Sequence, residues 1–180
     1  CRGIAPSDAA AVAAVLPEMR LELHYDQAGL QRMKLAGRDV TEEIRLPEMS
    51  KYASKVSAIP AVRDFLLELQ RDQARRRRSV IMDGRDIGTV VLPDATVKIF
   101  LTAAPEVRAM RRCRELEQRG TPQPYEQVLR DIVDRDWADS HRDIAPLCKA
   151  EDAVELDTGA LTFDESLRLL LDTIRRRAGL

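Results

Sequence analysis

The run Asp83-Gly84-Arg85-Asp86-Ile87-Gly88-Thr89-Val90-Val91-Leu92-Pro93-Asp94-Ala95 constrains this chain more than any other feature. Ser79-Val80-Ile81-Met82 enters it, and Val97-Lys98-Ile99-Phe100-Leu101 leaves it. Both flanking runs are short, rich in β-branched residues and bounded by turn formers, so both are predicted as buried strands. A buried strand that ends in Asp-Gly-Arg-Asp delivers three charges to one carboxyl edge. That is the edge at which open α/β sheets bind ligands. Burying those charges without a ligand is costly, so the segment points to a polar or anionic small molecule.

Length and charge narrow the partners. The 180 residues suit one domain, or a core with a small insert. With 29 basic against 30 acidic residues, nothing suggests a nucleic-acid-binding surface. Cys1, Cys113 and Cys148 form no C-x-x-C motif and are expected as reduced thiols of a cytoplasmic protein. No apolar run has the length of a membrane span, so no membrane partner is expected.

Periodicity supplies the other elements. Ala9 to Leu16 reads as a short helix behind Pro6-Ser7-Asp8. Arg20 to Tyr25 alternates polar and apolar residues, Leu30 to Leu35 less cleanly, and Gly37-Arg38-Asp39-Val40 follows. Together they predict a small antiparallel insert. Pro47 to Val56 reads as a helix. Pro60 then opens another, with Val62, Phe65, Leu66 and Leu69 as its apolar stripe. The Arg75–Arg78 run ends that helix and reads as solvated cations at its negative end. After Leu101, Val107, Met110, Cys113 and Leu116 predict one helix face. Val128, Leu129, Ile132, Val133 and Trp137 predict the next. Arg135, Asp139 and Arg142, at i, i+4 and i+7, share another face while that helix lasts. Ala153 to Asp157 reads as a last strand. Phe163, Leu167, Leu170, Leu171 and Ile174 mark a terminal helix.

The segment from Asp83 to Ala95, with Val-Lys-Ile-Phe-Leu after it, resembles the bacterial cytidylate kinase (CMP kinase) family. Ser54-Lys55-Val56-Ser57-Ala58-Ile59-Pro60-Ala61-Val62-Arg63 upstream carries the resemblance further. So does Arg135-Asp136-Trp137-Ala138-Asp139-Ser140-His141-Arg142-Asp143-Ile144-Ala145-Pro146-Leu147 downstream. Three ordered blocks make the likeness specific. It implies an α/β fold of the P-loop kinase type, a three-layer parallel sheet flanked by helices. A small antiparallel monophosphate-binding insert and a helical lid would complete it. Residues 1–75 are then the insert and the helices after it, and 76–180 the remaining core with the lid at about 105–145. The implied activity is transfer of the γ-phosphoryl of ATP, with Mg²⁺, to CMP or dCMP. A monomer is expected for the complete protein.

Phosphoryl transfer demands positioning, charge neutralisation and exclusion of water more than covalent work. Arginine suits it, because its planar fork meets phosphate oxygens bidentately and stays charged. Arg85, Arg135 and Arg142 are the catalytic candidates, each at a position that the resemblance makes phosphate-contacting. Taken without the resemblance, the same arginines read equally as salt-bridge partners of Asp86, Asp136 and Asp139. Cytosine presents a donor at N4 and acceptors at N3 and O2. Asp86 can accept from N4, while Arg63 and Ser54 can donate to the others; all three match base-contacting positions of the family. Uracil would set O4 against the carboxylate, a mismatch worth on the order of 10⁴-fold at a fully buried site. The resemblance further gives Asp139 a sugar contact and Asp83 an indirect hold on magnesium. It gives Arg108, Arg111 and Arg112 a place in the lid near ATP. His24 and His141 match no catalytic position.

One family feature is missing from the sequence. No G-x-x-x-x-G-K-[ST] phosphate loop occurs, and the glycines lie at Gly3, Gly29, Gly37, Gly84, Gly88, Gly120, Gly159 and Gly179. Cys1-Arg2-Gly3-Ile4-Ala5 is similar to the middle of a family member. The expectation is therefore an N-terminally truncated kinase, without the P-loop strand and helix, and inactive alone. The alternatives are a non-enzymatic nucleotide-binding fragment and a pseudokinase. The family sheet order 2-3-1-4-5 makes Val80–Met82, Val97–Leu101 and Ala153–Leu156 strands three, four and five. A one-strand gap of roughly 9–10 Å between the first two is then expected.

Overall fold

The computed structural model describes residues 3–76 and 79–180, with the side chains of Pro47, Ser50 and Lys51 excepted. Cys1 and the last two arginines of the Arg75–Arg78 run lie outside the described residues. The chain forms two compact units, Cys1–Arg78 and Ser79–Leu180.

The first unit opens with helix α1 (Ala9–Val15), whose N-cap Asp8 accepts from the Ala11 N–H at 3.0 Å. A 3-10 turn, Leu16–Glu18, follows it. Strands β1 (Leu21–Tyr25), β2 (Gln31–Leu35) and β3 (Arg38–Asp39) then form an antiparallel sheet, Leu21 opposite Leu35 and Tyr25 opposite Gln31. This is the small insert that the alternation predicts. Its first turn is tied by Asp26, whose Oδ1 accepts from the N–H groups of Ala28 (3.0 Å) and Leu30 (2.9 Å) while Oδ2 takes Arg32 Nε at 3.0 Å. Helices α2 (Pro47–Ser57) and α3 (Pro60–Arg75) each start on a proline, where the missing N–H costs nothing. Leu16, Ile59 and Val62 form the core, with Val12, Ala61, Phe65 and Leu66 packed on it. Arg75 and Arg76 pair with Asp72, so the basic run begins in ion pairs of its own helix.

In the second unit β4 (Ile99–Thr102) and β5 (Val154–Asp157) pair in parallel, Ile99 opposite Val154 and Thr102 opposite Asp157. Helices α4 (Pro105–Gln118), α5 (Tyr125–His141) and α6 (Phe163–Ala178) complete it. The architecture is mixed α/β, a parallel pair with helices and a separate antiparallel sheet, consistent with a P-loop kinase type of fold. One expected strand does not form: Ser79–Met82 has no strand structure, and Ile81 is 93% exposed. A strand is sustained by a ladder of backbone hydrogen bonds, and no described strand pairs with this run. β4 takes β5 as its neighbour, and the first half of the expected gap is thus no strand at all.

Half of the predicted face of α4 packs as expected, at Cys113 and Leu116, and half does not. Ala109, fully buried, packs with Leu116 and Val128, and Cys113, Tyr125, Leu129 and Ile132 surround them. Val107 and Met110 turn instead into a groove of about 970 Å³ shared with Leu101, Phe163, Leu167 and Leu170. The small Ala109 takes the fully buried place between α4 and Val128 of α5. The apolar stripe of α6 stays largely open, with Phe163 81% exposed. A capping box nonetheless fixes the start of α6: Thr162 Oγ1 accepts from Glu165 N–H, and Glu165 Oε2 accepts from Thr162 N–H at 2.8 Å. Among the described residues no helix is long and apolar enough to cross a membrane.

Candidate phosphate-binding site

The site begins at the Asp83–Asp86 turn. A Cβ at Gly84 would stand 2.9 Å from Ile87 Cγ1, so the turn closes as it does because residue 84 lacks one. Beyond Asp86 the chain makes a single π-helical turn, Ile87–Val91. The Asp86 carbonyl accepts from the N–H groups of Val90 at 2.8 Å and Val91 at 3.2 Å, and Ile87 from Leu92 at 2.7 Å. Such turns are rare and frequent at functional sites. This one pins the backbone of Asp86, and with it the root of its carboxylate. Asp83 is exposed at the turn's entrance.

Arg85 leaves the turn toward α5. Its Nε donates to Asp139 Oδ2 at 2.9 Å across 54 residues of sequence. Asp139 is 4% exposed and gathers two further cations, Arg135 Nε at 3.8 Å and Arg142 Nη1 at 3.7 Å. Arg142 Nε donates to the Ala145 carbonyl at 2.7 Å. Ala145 holds φ at 48°, a left-handed conformation that a non-glycine residue adopts at a cost and that clusters at functional sites. Leu147 N–H closes the loop by donating to the Asp139 carbonyl at 2.7 Å. Helix α5 ends at His141, so the loop rather than the helix carries Arg142 back to Asp139.

Three guanidiniums therefore converge on one buried carboxylate. Arg135 Nε is itself buried and makes no hydrogen bond among the described residues. Burial, and after it the neighbouring Arg85, lower the Arg135 pKa from its ordinary value, while Asp139 and Asp136 act against that. A cationic group under such pressure gains from an anion of high charge, and a phosphate offers the oxygens to meet the donors.

The other candidates lie as follows. Arg108 is held between α4 and α5: Nη1 and Nη2 donate to Asp136 at 3.0 and 2.5 Å, and Nε donates to the Ala103 carbonyl at 3.0 Å. Arg111 donates to the carbonyls of Thr158 (2.5 Å) and Leu161 (3.1 Å) in the loop after β5. Arg112 pairs with Glu115 on its own helix at 2.6 Å. Ser54 and Arg63 belong to the first unit, Asp86 and Asp139 to the second. Arg63 Nη1 donates to the Ser57 carbonyl at 3.0 Å and closes the end of α2. Among the described residues no group of three or more His, Cys, Asp or Glu could hold a metal ion. Magnesium is commonly held by one or two carboxylates and substrate phosphates, and Asp83 is an exposed carboxylate.

A cytidylate kinase family model matches residues 1–176. The chain belongs to the cytidylate kinase family. Curated members are similar to it in sequence. The cytidylate kinase of Fervidobacterium nodosum is 51% identical over 143 residues, 79% of this chain and 65% of that protein. That of Mycobacterium leprae is 45% identical over 177 residues, 98% of this chain and 77% of its own. That of Carboxydothermus hydrogenoformans is 51% identical over 147 residues, covering 82% and 66%. The chain thus spans about two thirds to three quarters of these family members. Sequence reading named Asp136 as a salt-bridge partner but missed its pairing with Arg108, 28 residues away, and missed Ala145, whose backbone conformation no side chain advertises.

Proposed function

We propose that this chain carries the acceptor site of a phosphotransferase that moves the γ-phosphoryl of ATP to CMP or dCMP. The observation that supports it most is the convergence of Arg85, Arg135 and Arg142 on buried Asp139, with a buried guanidinium N–H left for a ligand oxygen. In this reading the CMP phosphate enters among the three guanidiniums. Their forks orient it, and the same charges stabilise the equatorial oxygens of the transferring group. Asp139 reaches the sugar hydroxyl. Asp86 accepts from cytosine N4, and Arg63 and Ser54 donate to N3 and O2. Membership of the family supports the kinase class and its CMP acceptor.

Asp83 is the residue that would hold magnesium, indirectly, and the ion would supply charge neutralisation to the phosphates of ATP. A role for Arg108, Arg111 and Arg112 beside ATP stands on family resemblance, since each guanidinium is engaged within the protein. A second reading, a CMP-binding module without donor chemistry, is favoured by the lack of a G-x-x-x-x-G-K-[ST] loop in the 180 residues. Both readings share the acceptor site, which calorimetric titration of CMP and UMP into the chain tests. CMP should bind at least about tenfold more tightly, because only cytosine satisfies the Asp86 carboxylate. Equal affinities would overturn the assignment.

A further inference from the structure

The last two turns of α5 carry Arg135 and Asp139, and apolar packing does not hold them. The α4–α5 core stops at Ile132. Beyond it Val133 is 46% and Trp137 64% exposed, and Asp139 is the one buried residue. Leu147 and Arg142, in the loop after α5, both contact Asp139; among the described residues, two side-chain contacts tie this part of α5 to segments that precede it. One is Arg85 on Asp139, which belongs to the phosphate-binding cluster itself. The other is Asp136 on Arg108, a bidentate pair at 3.0 and 2.5 Å. Arg108 is anchored in turn: its Nε donates at 3.0 Å to the carbonyl of Ala103, a buried residue just past the end of β4.

We infer that Arg108 and Asp136 are positioning residues for the acceptor phosphate, a strut that sets Arg135 against the end of β4, and that Arg108 is no phosphate ligand. The inference rests on the reading of Arg85, Arg135 and Arg142 as the phosphate-binding set. Asp136 is the immediate neighbour of Arg135 and lies three residues from Asp139. A shift of α5 at residue 136 therefore displaces both the unbonded Arg135 Nε and the carboxylate that gathers the cluster. Fork-to-carboxylate geometry suits such a task, because two parallel bonds fix an angle as well as a distance. A lysine at 108 would keep the charge and lose the angle. A phosphate ligand would behave otherwise: freeing Arg108 from Asp136 would make it more available.

The test titrates CMP and cytidine, which differ by the phosphate alone, into the 180-residue chain and its Arg108→Lys, Asp136→Asn and Asp136→Glu variants. In the unsubstituted chain CMP should bind at least about tenfold more tightly than cytidine. Failure there removes the phosphate-site reading itself. Given that preference, Arg108→Lys and Asp136→Asn should both lower CMP affinity by about tenfold, as small misplacements of binding groups do, and cytidine affinity by less, because cytidine meets this cluster only at the Asp139 sugar contact. Asp136→Glu, which keeps a carboxylate, should recover part of the loss. Unfolding would weaken cytidine and CMP together, so the ratio of the two affinities isolates positioning from stability. The inference is overturned if that ratio is unchanged in both Arg108→Lys and Asp136→Asn. It is equally overturned if Asp136→Asn raises CMP affinity, the result for a ligand arginine released from its partner.

Discussion

At the scale of single residues, the chemistry separates into groups that read the base and groups that read the phosphate. Asp86→Ala removes the acceptor for cytosine N4 and the repulsion against uracil O4 together. It should narrow the CMP-to-UMP affinity ratio toward one, measured by titration of both nucleotides. Arg142→Ala should lower both affinities by a similar factor, since phosphate carries no base information; loss for CMP alone would show that Arg142 reads the base. Arg135, Asp139 and Arg142 were legible in the sequence as a charged set with helical spacing, and Arg85 as one of the charges of the Asp83–Asp86 run. Their geometry was not. The sequence offered salt bridging and ligand binding as rivals, and the fold combines them: one carboxylate is shared by three arginines, and Arg135 keeps a donor in hand. The contacts of Arg108 and Arg111 escaped because their partners, Asp136, Thr158 and Leu161, are remote in sequence.

At the scale of elements, periodicity found the helices and the antiparallel insert. It failed where an element depends on a partner. Val80–Met82 has the composition of a strand, and composition alone supplies no ladder. The π-helical turn at Ile87–Val91 has no periodic signature at five residues. On α4 the stripe rule preferred Val107 and Met110, while the contact with α5 is set by Ala109, a residue too small to weigh in such a pattern. Ala109→Leu should therefore destabilise the protein by about 1–3 kcal/mol through overpacking, measured by urea denaturation; a neutral result would mean that α4 and α5 separate readily there. The capping box of α6 yields a pH prediction. Hydrogen bonds from the backbone N–H and then the hydroxyl of Thr162 hold the Glu165 pKa below its ordinary value. A depressed carboxylate pKa adds stability above the ordinary value and loses it as pH falls through the folded one. Glu165→Gln should thus lower Tm at pH 7, and the difference from the unsubstituted chain should shrink toward zero on acidification to about pH 3. A difference independent of pH would show that the charge contributes nothing to the cap.

At the scale of the whole molecule, the arginine cluster, Asp139 and Asp86 all lie in the second unit. The phosphate end is the better supported, because every member of it lies within one unit. The 180 residues contain no G-x-x-x-x-G-K-[ST] motif, and positioning of the γ-phosphoryl accounts for most of the rate in this chemistry. The chain by itself should consequently form no CDP from CMP and ATP. Turnover at a kinase rate of roughly 1–100 s⁻¹ would show that another element binds the donor. The central claim, that the cluster about Asp139 receives the acceptor phosphate, is tested most directly by a crystal structure of the chain with CMP. The account predicts the phosphate among Arg85, Arg135 and Arg142, with an oxygen on Arg135 Nε. A CMP phosphate bound elsewhere, such as the groove beside Met110 and Phe163, with the three arginines still closed on Asp139 alone, would contradict it.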